Sequence, residues 1–492
     1  MKNRLFYGDN LDVLRRYVKD ETVDLCYIDP PFNSKRNYNQ IYNNVGKEDR
    51  AQAQAFTDTW TWDTEAEKGL ADIQSNPNGK YTRQTVKLIS GLSDVLGKGS
   101  LLAYLVSMTL RIVEIYRVLK PTGSFYFHCD QTASHYLKLV LDTIFCSHGG
   151  DFLNEIIWCY RQGGRGKNKF PSKHDTIFLY SKGKTNTFNA DAIRVPYEGT
   201  GGYVSKGRNI VNGKEYKTNP LGKIPEDWWD IAALNPEAKE RLGYPTQKPE
   251  KLLERIIKAS SNEGDVVLDA YCGCGTSVAV AEQMKRNWIG IDITYQSISL
   301  IMKRLEDTFG KDVLKNITLS GTPEDMESAV ALANKADDRT RKEFEKWAVL
   351  TYSNNRARIN EAKGGDGGID GIAYVADRDE NQNIIAREVL FSVKSNKTLS
   401  PSVIRDLFGT IEREKAAIGY LITLYPMENL VKESKKYGTY TNTLIGQSYP
   451  KIEVISVEDI LQNKRLSLPI SLEVVKSAER KEAENDNPTL FD

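Results

Sequence analysis

Three apolar runs that each deliver an aspartate limit the architecture of this chain more than any other feature. Asp24-Leu25-Cys26-Tyr27-Ile28 leads to Asp29, Asp265-Val266-Val267-Leu268 to Asp269, and Trp288-Ile289-Gly290-Ile291 to Asp292. Short continuous apolar runs of this kind fit strands buried on both faces of a parallel sheet, and open α/β sheets bind ligands beyond the carboxyl ends of such strands. Helical patterns alternate with them. Leu5-Phe6-Tyr7-Gly8-Asp9-Asn10 reads as a strand end and tight turn before an amphipathic helix. A long helix is expected over 101–119, stopped by Lys120-Pro121-Thr122-Gly123 and followed by the strand Ser124-Phe125-Tyr126-Phe127-His128-Cys129. The alternation predicts an α/β, doubly wound sheet.

At 492 residues the chain exceeds what one core usually supports, so two or three domains are expected. No apolar run approaches the length of a membrane span, and the opening residues do not read as a signal peptide. Six cysteines and four histidines show no spacing that completes a zinc ligand set. A reduced, cytoplasmic chain with no membrane partner is the expectation. The net charge of +1 hides a local imbalance: residues 161–223 carry 13 Lys/Arg against 4 Asp/Glu. Regular periodicity is expected to be lost from Arg161 to about Asp230, and a polar stretch over 316–341, with Gly321-Thr322-Pro323-Glu324-Asp325, marks a boundary.

Two strings stand in a particular order: Ile28-Asp29-Pro30-Pro31-Phe32-Asn33-Ser34 comes first, and Val267-Leu268-Asp269-Ala270-Tyr271-Cys272-Gly273-Cys274-Gly275-Thr276-Ser277 follows far downstream. Over roughly residues 1–310 the pairing resembles the S-adenosylmethionine-dependent DNA amino-methyltransferases of the beta class, which includes type III modification subunits. The resemblance implies a Rossmann-like sheet acting on adenine N6 or cytosine N4 of double-stranded DNA, with adenine preferred. The carboxylate of Asp29 and the carbonyl of Pro30 would accept hydrogen bonds from the target amine. Pro30 and Pro31 would stiffen the loop, and Phe32 would stack on a flipped base. For the cofactor, Gly273 and Gly275 would permit close backbone approach, with Asp269, Tyr271 and Thr276 on the same turn and Asp292 holding the ribose hydroxyls. The resemblance also assigns Asp9 to the adenine ring amine, and Thr246 and Lys248 to the methionine end. Helix capping before Pro249 is the alternative for those two. A nicotinamide turn would lack its third glycine here and leave Asp29-Pro30-Pro31-Phe32 unexplained.

The basic window, about 160–235, is read as an inserted target-recognition region. Arg161, Arg165, Lys167, Lys169 and Lys173 would meet phosphates, with Tyr197, Tyr203 and Tyr216 interspersed; a merely solvated loop is the alternative. Domain limits are placed at 1–320 for the methyltransferase, 321–341 for a linker and 342–475 for a second unit, with a charged, mobile tail at 476–492. Within the second unit Phe344-Glu345-Lys346-Trp347, Gly364-Gly365-Asp366-Gly367-Gly368-Ile369-Asp370-Gly371 and Val389-Leu390-Phe391-Ser392-Val393-Lys394 resemble the Mrr type of restriction-endonuclease fold. That resemblance implies Mg²⁺ held through Asp370 and water activation through Lys394. Ser392 stands where the family has Glu, Asp or Gln, so Glu388 or Glu345 is the expected substitute. Two readings stay open. Either this unit cleaves unmethylated DNA, or it is a DNA-binding module beside a separate restriction subunit. A homodimer is a further expected partnership, and the ending Leu490-Phe491-Asp492 faintly resembles sliding-clamp docking strings.

Overall fold

The computed structural model describes residues 3–32, 36–44, 47–58, 60–160, 168, 170–197, 208–211, 214–217, 219–235, 238–244, 246–334, 338–360, 368–379, 381–468 and 471–472. Its main sheet has nine strands. In spatial order they are Trp228–Asp230, Asp151–Cys159, His174–Ser181, Leu119–Cys129, Val23–Ile28, Val266–Asp269, Asn287–Asp292, Asn3–Tyr7 and Ile317–Ser320. Only His174–Ser181 runs antiparallel to its neighbours. The chain leaves Val23–Ile28 for Leu119–Cys129 on one side, while Val266–Asp269 and Asn287–Asp292 extend the sheet on the other. The strand order therefore reverses between Val23–Ile28 and Val266–Asp269, and such a switch point opens a crevice at the carboxyl edge. All three aspartates of the sequence pattern stand at that edge.

Packing follows from the pattern. The Val23–Ile28 strand is buried along nearly its whole length, as a central parallel strand must be. Helix Ser100–Val118 covers one face with Leu102, Leu105, Met108, Ile112 and Ile115 fully buried. Helix Glu250–Ser260 covers the other with Leu252, Leu253, Ile256 and Ile257, a spacing that makes one apolar stripe. The helix ends at Val118, just before Lys120 to Gly123 as expected, but these four residues already belong to the strand that follows. They form an irregularity inside Leu119–Cys129, where the register on Val23–Ile28 shifts.

Two sequence expectations need correction. The window 161–230 does not lack regular structure, since His174–Ser181 and Trp228–Asp230 are strands of the main sheet. The apolar run Thr176-Ile177-Phe178-Leu179-Tyr180 is buried, and its flanking basic residues masked it. Nor is 321–341 a plain linker. Helix Met326–Ala333 starts at an Asp325 capping box and buries Ala329, Leu332 and Ala333. The tail at 476–492, and with it the clamp-like string, lies outside the described residues.

The second unit centres on a mixed sheet ordered Arg358–Ile359, Gly371–Arg378, Ile384–Lys394, Ile418–Thr423 and Ile452–Ser456. Helix Asp338–Tyr352 links the units. Its Phe344 and Trp347 share one continuous apolar cluster with Tyr295 and Ile298 of helix Tyr295–Phe309 and with Phe391. Buried Glu343 accepts a 2.9 Å hydrogen bond from the Tyr295 amide, which lies in the first turn of that helix and lacks an intrahelical partner. Glu343→Ala should therefore lower stability by about 1–3 kcal/mol, read as a drop in denaturation midpoint. An unchanged midpoint would show that the bond is dispensable.

Candidate active site

The carboxyl edge of the sheet borders a cavity of about 840 Å³. Asp29, Pro30, Pro31 and Phe32 line one part, and Asp269, Tyr271, Gly273, Thr276 and Asp292 another, with Asp9, Thr246 and Lys248 also on its wall. Residues nearly 250 positions apart in sequence thus meet because Val23–Ile28 and Val266–Asp269 are hydrogen-bonded neighbours, with Leu25 opposite Val267 and Cys26 opposite Leu268.

The glycine turn is built around its carboxylates. Asp269 accepts the Tyr271 amide at 2.9 Å and the Ser277 hydroxyl. Asp292 accepts the Gly273 amide and the Thr294 amide, each at 2.9 Å. Gly273 and Gly275 have φ of 52° and 73°. A Cβ on Gly275 would lie 2.7 Å from Ile301, and one on Gly273 would lie 3.1 Å from the Tyr244 ring. Behind the turn buried Arg304 donates to the Cys274 carbonyl and the Thr276 hydroxyl and pairs with Glu250.

Burial raises the Asp269 carboxyl to about 7 and that of Asp292 to about 6, because charge is disfavoured away from water. A cavity edged by Asp29, Asp269 and Asp292 is suited to a cation, and its volume falls within the range of small-molecule sites. These residues fit S-adenosylmethionine, whose sulfonium and ammonium are both positive. Asp292 would hold the ribose and Asp269 the turn around the methionine end; the bound cofactor would supply an activated methyl group. Ionised Asp292 accepts hydroxyl protons on both oxygens, and protonation removes part of that capacity. Cofactor affinity should therefore be level well above about 7 and fall as pH drops through about 6, which equilibrium binding can follow. A constant affinity across that window would remove Asp292 from the contact.

At the other end Asp29 pairs with buried Lys248 through Oδ2, while its buried Oδ1 accepts no hydrogen bond among the described residues. Lys248, expected at the methionine end, thus meets Asp29, with its Nζ 5.5 Å from the Phe32 ring centroid. Thr246 adopts φ of 61°, unusual for a β-branched residue. Asp9 caps helix Asn10–Tyr17 and pairs with Arg111 at 2.8 Å.

Sequence reasoning missed Arg111 and a buried group beside Asp29. His128 is wholly buried, its Nδ1 2.9 Å from the Tyr27 hydroxyl and 3.9 Å from Asp29 Oδ1. Its Nε2 lies 3.2 Å from Asp175, which also accepts the Tyr160 hydroxyl at 3.2 Å. The signal was present, since His128 is one of four histidines and lies one residue before the end of the strand next to Val23–Ile28.

Of the five cations assigned to phosphates, Arg161, Arg165, Lys167 and Lys169 lie outside the described residues, as does Tyr203. Lys173 is half-buried, and its carbonyl accepts the Tyr160 amide at 2.9 Å. In the second unit Asp370 directly precedes Gly371–Arg378 and accepts the Val393 amide at 2.6 Å, which sets it beside Ser392 and Lys394. Ser392 is buried, Lys394 and Glu345 are half-buried, and Glu388 accepts from Tyr374 at 3.5 Å. Among the described residues no three His, Cys, Asp or Glu side chains converge as a metal site. No helix among them is long and apolar enough to cross a membrane.

Comparison with known proteins agrees with this geometry. Residues 23–303, more than half of the chain, match the DNA methylase family model of the N6/N4 class, and residues 336–444 match a restriction endonuclease model. The type II methyltransferase M.HpaI of Haemophilus parainfluenzae is 38% identical over 197 residues, which is 40% of this chain and 57% of that protein. M1.MboII of Moraxella bovis is 37% identical over 171 residues, 32% of this chain and 66% of its own length. The chain thus spans less than two thirds of these curated relatives. The DNA adenine methyltransferase YhdJ of Escherichia coli K12 is 29% identical over 306 residues, covering 61% of this chain and 82% of YhdJ. A solved cytosine-N4-specific PvuII DNA methyltransferase aligns over 70% of this chain and 93% of its own, at 13% identity and a TM-score of 0.37, too slight a likeness to bear on the reaction. With more than half of its length matching that model, the chain belongs to the N6/N4 DNA methylase family, with a restriction-endonuclease-like domain following.

Proposed function

We propose that the chain transfers a methyl group from S-adenosylmethionine to an exocyclic amine of a base flipped out of duplex DNA, with adenine N6 as the target. The observation that carries this is the buried Oδ1 of Asp29, which accepts no hydrogen bond among the described residues, on the wall of the cavity that also holds the glycine turn. An aromatic amine is a weak nucleophile because its lone pair is shared with the ring. An acceptor fixed at Asp29 Oδ1, aided by the Pro30 carbonyl, favours the pyramidal nitrogen that can attack. Phe32 offers a face for the extruded base, and Lys248 pairs with the other oxygen of Asp29. Incubating the chain with unmethylated duplex and methyl-labelled S-adenosylmethionine tests the reading: label should enter DNA. Label that enters RNA alone, or neither, would overturn it.

For the C-terminal domain the buried Ser392 in place of an acidic ligand favours a module that holds DNA while a separate subunit cuts. Supercoiled unmethylated plasmid with Mg²⁺ should then stay intact. Cutting that disappears in Asp370→Ala would instead establish a self-contained restriction enzyme.

A further inference from the structure

We propose that His128 is the proton outlet of the methylation site, taking at Nδ1 the proton that methyl transfer releases to Asp29 and passing its Nε2 proton to Asp175, whose partly exposed side chain gives it up to solvent. This rests on the methyltransferase reading above. When the amine lone pair forms the N–C bond, the S–C bond breaks with its electron pair going to sulfur. The nitrogen is left with one proton too many. Asp29 Oδ1 is the acceptor at hand, but an aspartic acid held there could not serve as an acceptor again, so the proton must move on.

Three adjacent strands supply the next station. Tyr27 comes from Val23–Ile28, His128 from Leu119–Cys129 and Asp175 from His174–Ser181. The imidazole tautomer follows from its two partners. Burial alone would raise the Asp175 carboxyl, yet its bonds to His128 and Tyr160 outweigh that and keep it below the usual range, so it is an anion that accepts Nε2–H. Burial, with Asp29 and Asp269 nearby, pushes the Tyr27 phenol well up, so it keeps its proton and donates to Nδ1. The tautomer with Nε2–H bonded to Asp175 presents its lone pair at Nδ1, on the side where Asp29 Oδ1 stands 3.9 Å away. Rotation of the Tyr27 hydroxyl frees that lone pair, and the imidazolium formed lies between two carboxylates. The titratable groups around it are Tyr27, Asp29, Lys248, Asp175 and Tyr160, with Asp130 beyond. The rings of Trp158 and Phe32, centred 5.6 and 5.8 Å away, pack on the imidazole and fix its plane. His128 acts through Asp29 and so is a positioning and relay residue.

Asp175→Asn is the sharpest test, because an amide donating to Nε2 forces the imidazole proton onto Nδ1 and blocks the acceptor. Under single turnover on duplex DNA the methylation rate should fall about tenfold or more, recover as pH rises and solvent takes the proton, and leave cofactor affinity intact. His128→Gln should show the same pH-dependent loss, and Asp175→Glu should restore much of the rate. A rate in both losing variants close to that of the unaltered chain overturns the relay. So does a loss that is the same at every pH, which is what simple misplacement of Asp29 would produce. If the unaltered chain methylates nothing, the functional reading fails first, and the two failures are thereby told apart.

Discussion

Asp29→Ala should reduce methyl transfer to duplex DNA by about 10²–10³-fold or more while cofactor binding survives. The carboxylate lies at the end of Val23–Ile28, and its Oδ1 is a buried acceptor with no bond among the described residues. Alanine removes the group that favours the pyramidal nitrogen, and it also leaves buried Lys248 without its counter-ion. Asp29→Asn separates these effects. It preserves shape and one carbonyl oxygen while removing the charge, so partial activity would show that the acceptor oxygen alone carries part of the effect, whereas complete loss would show that the charge is required. Quench-flow methylation beside calorimetric cofactor binding gives both numbers. A normal rate in Asp29→Ala would remove Asp29 from the chemistry.

Gly275→Val should abolish cofactor binding and destabilise the fold by several kcal/mol. Residue 275 has φ of 73°, where a side chain costs about 1–2 kcal/mol and a β-branched one more. A Cβ there would stand 2.7 Å from Ile301 in the helix that follows Asp292, and overpacking of that kind costs about 1–3 kcal/mol. The turn would have to open, releasing the Gly273 amide from Asp292 and shifting helix Thr276–Gln283. Gly91→Val is the control, since a Cβ at that helical glycine meets nothing within 4 Å. Its cofactor affinity should match that of the unaltered chain. Equal losses in the two variants would show that the turn is not the cause.

The sheet was legible because its centre is written in continuous apolar runs ending in aspartate, a pattern that burial on both faces imposes. The turn was legible because its glycines have few substitutes at positive φ. His174–Ser181 was not, since its apolar stretch is short and its surroundings are basic, and local charge says nothing about which neighbour a strand finds. Helix Met326–Ala333 was hidden in a segment that is polar on average, although its alanines and leucine share one face. Lys248 shows the deeper limit. The string Pro245-Thr246-Gln247-Lys248-Pro249 identifies a motif, but only the fold brings that amine to Asp29, 219 positions away. His128 and Asp175 are likewise ordinary strand residues until three strands align them, because spacing along a chain carries no information on lateral order in a sheet.

Nucleoside mass spectrometry of unmethylated duplex DNA, after incubation with the chain and S-adenosylmethionine, bears most directly on the shared cavity of Asp29 and the glycine turn. The account predicts N6-methyladenine with the unaltered chain and none with Asp29→Ala. Methylation at a ring carbon, or N6-methyladenine undiminished in Asp29→Ala, would contradict it.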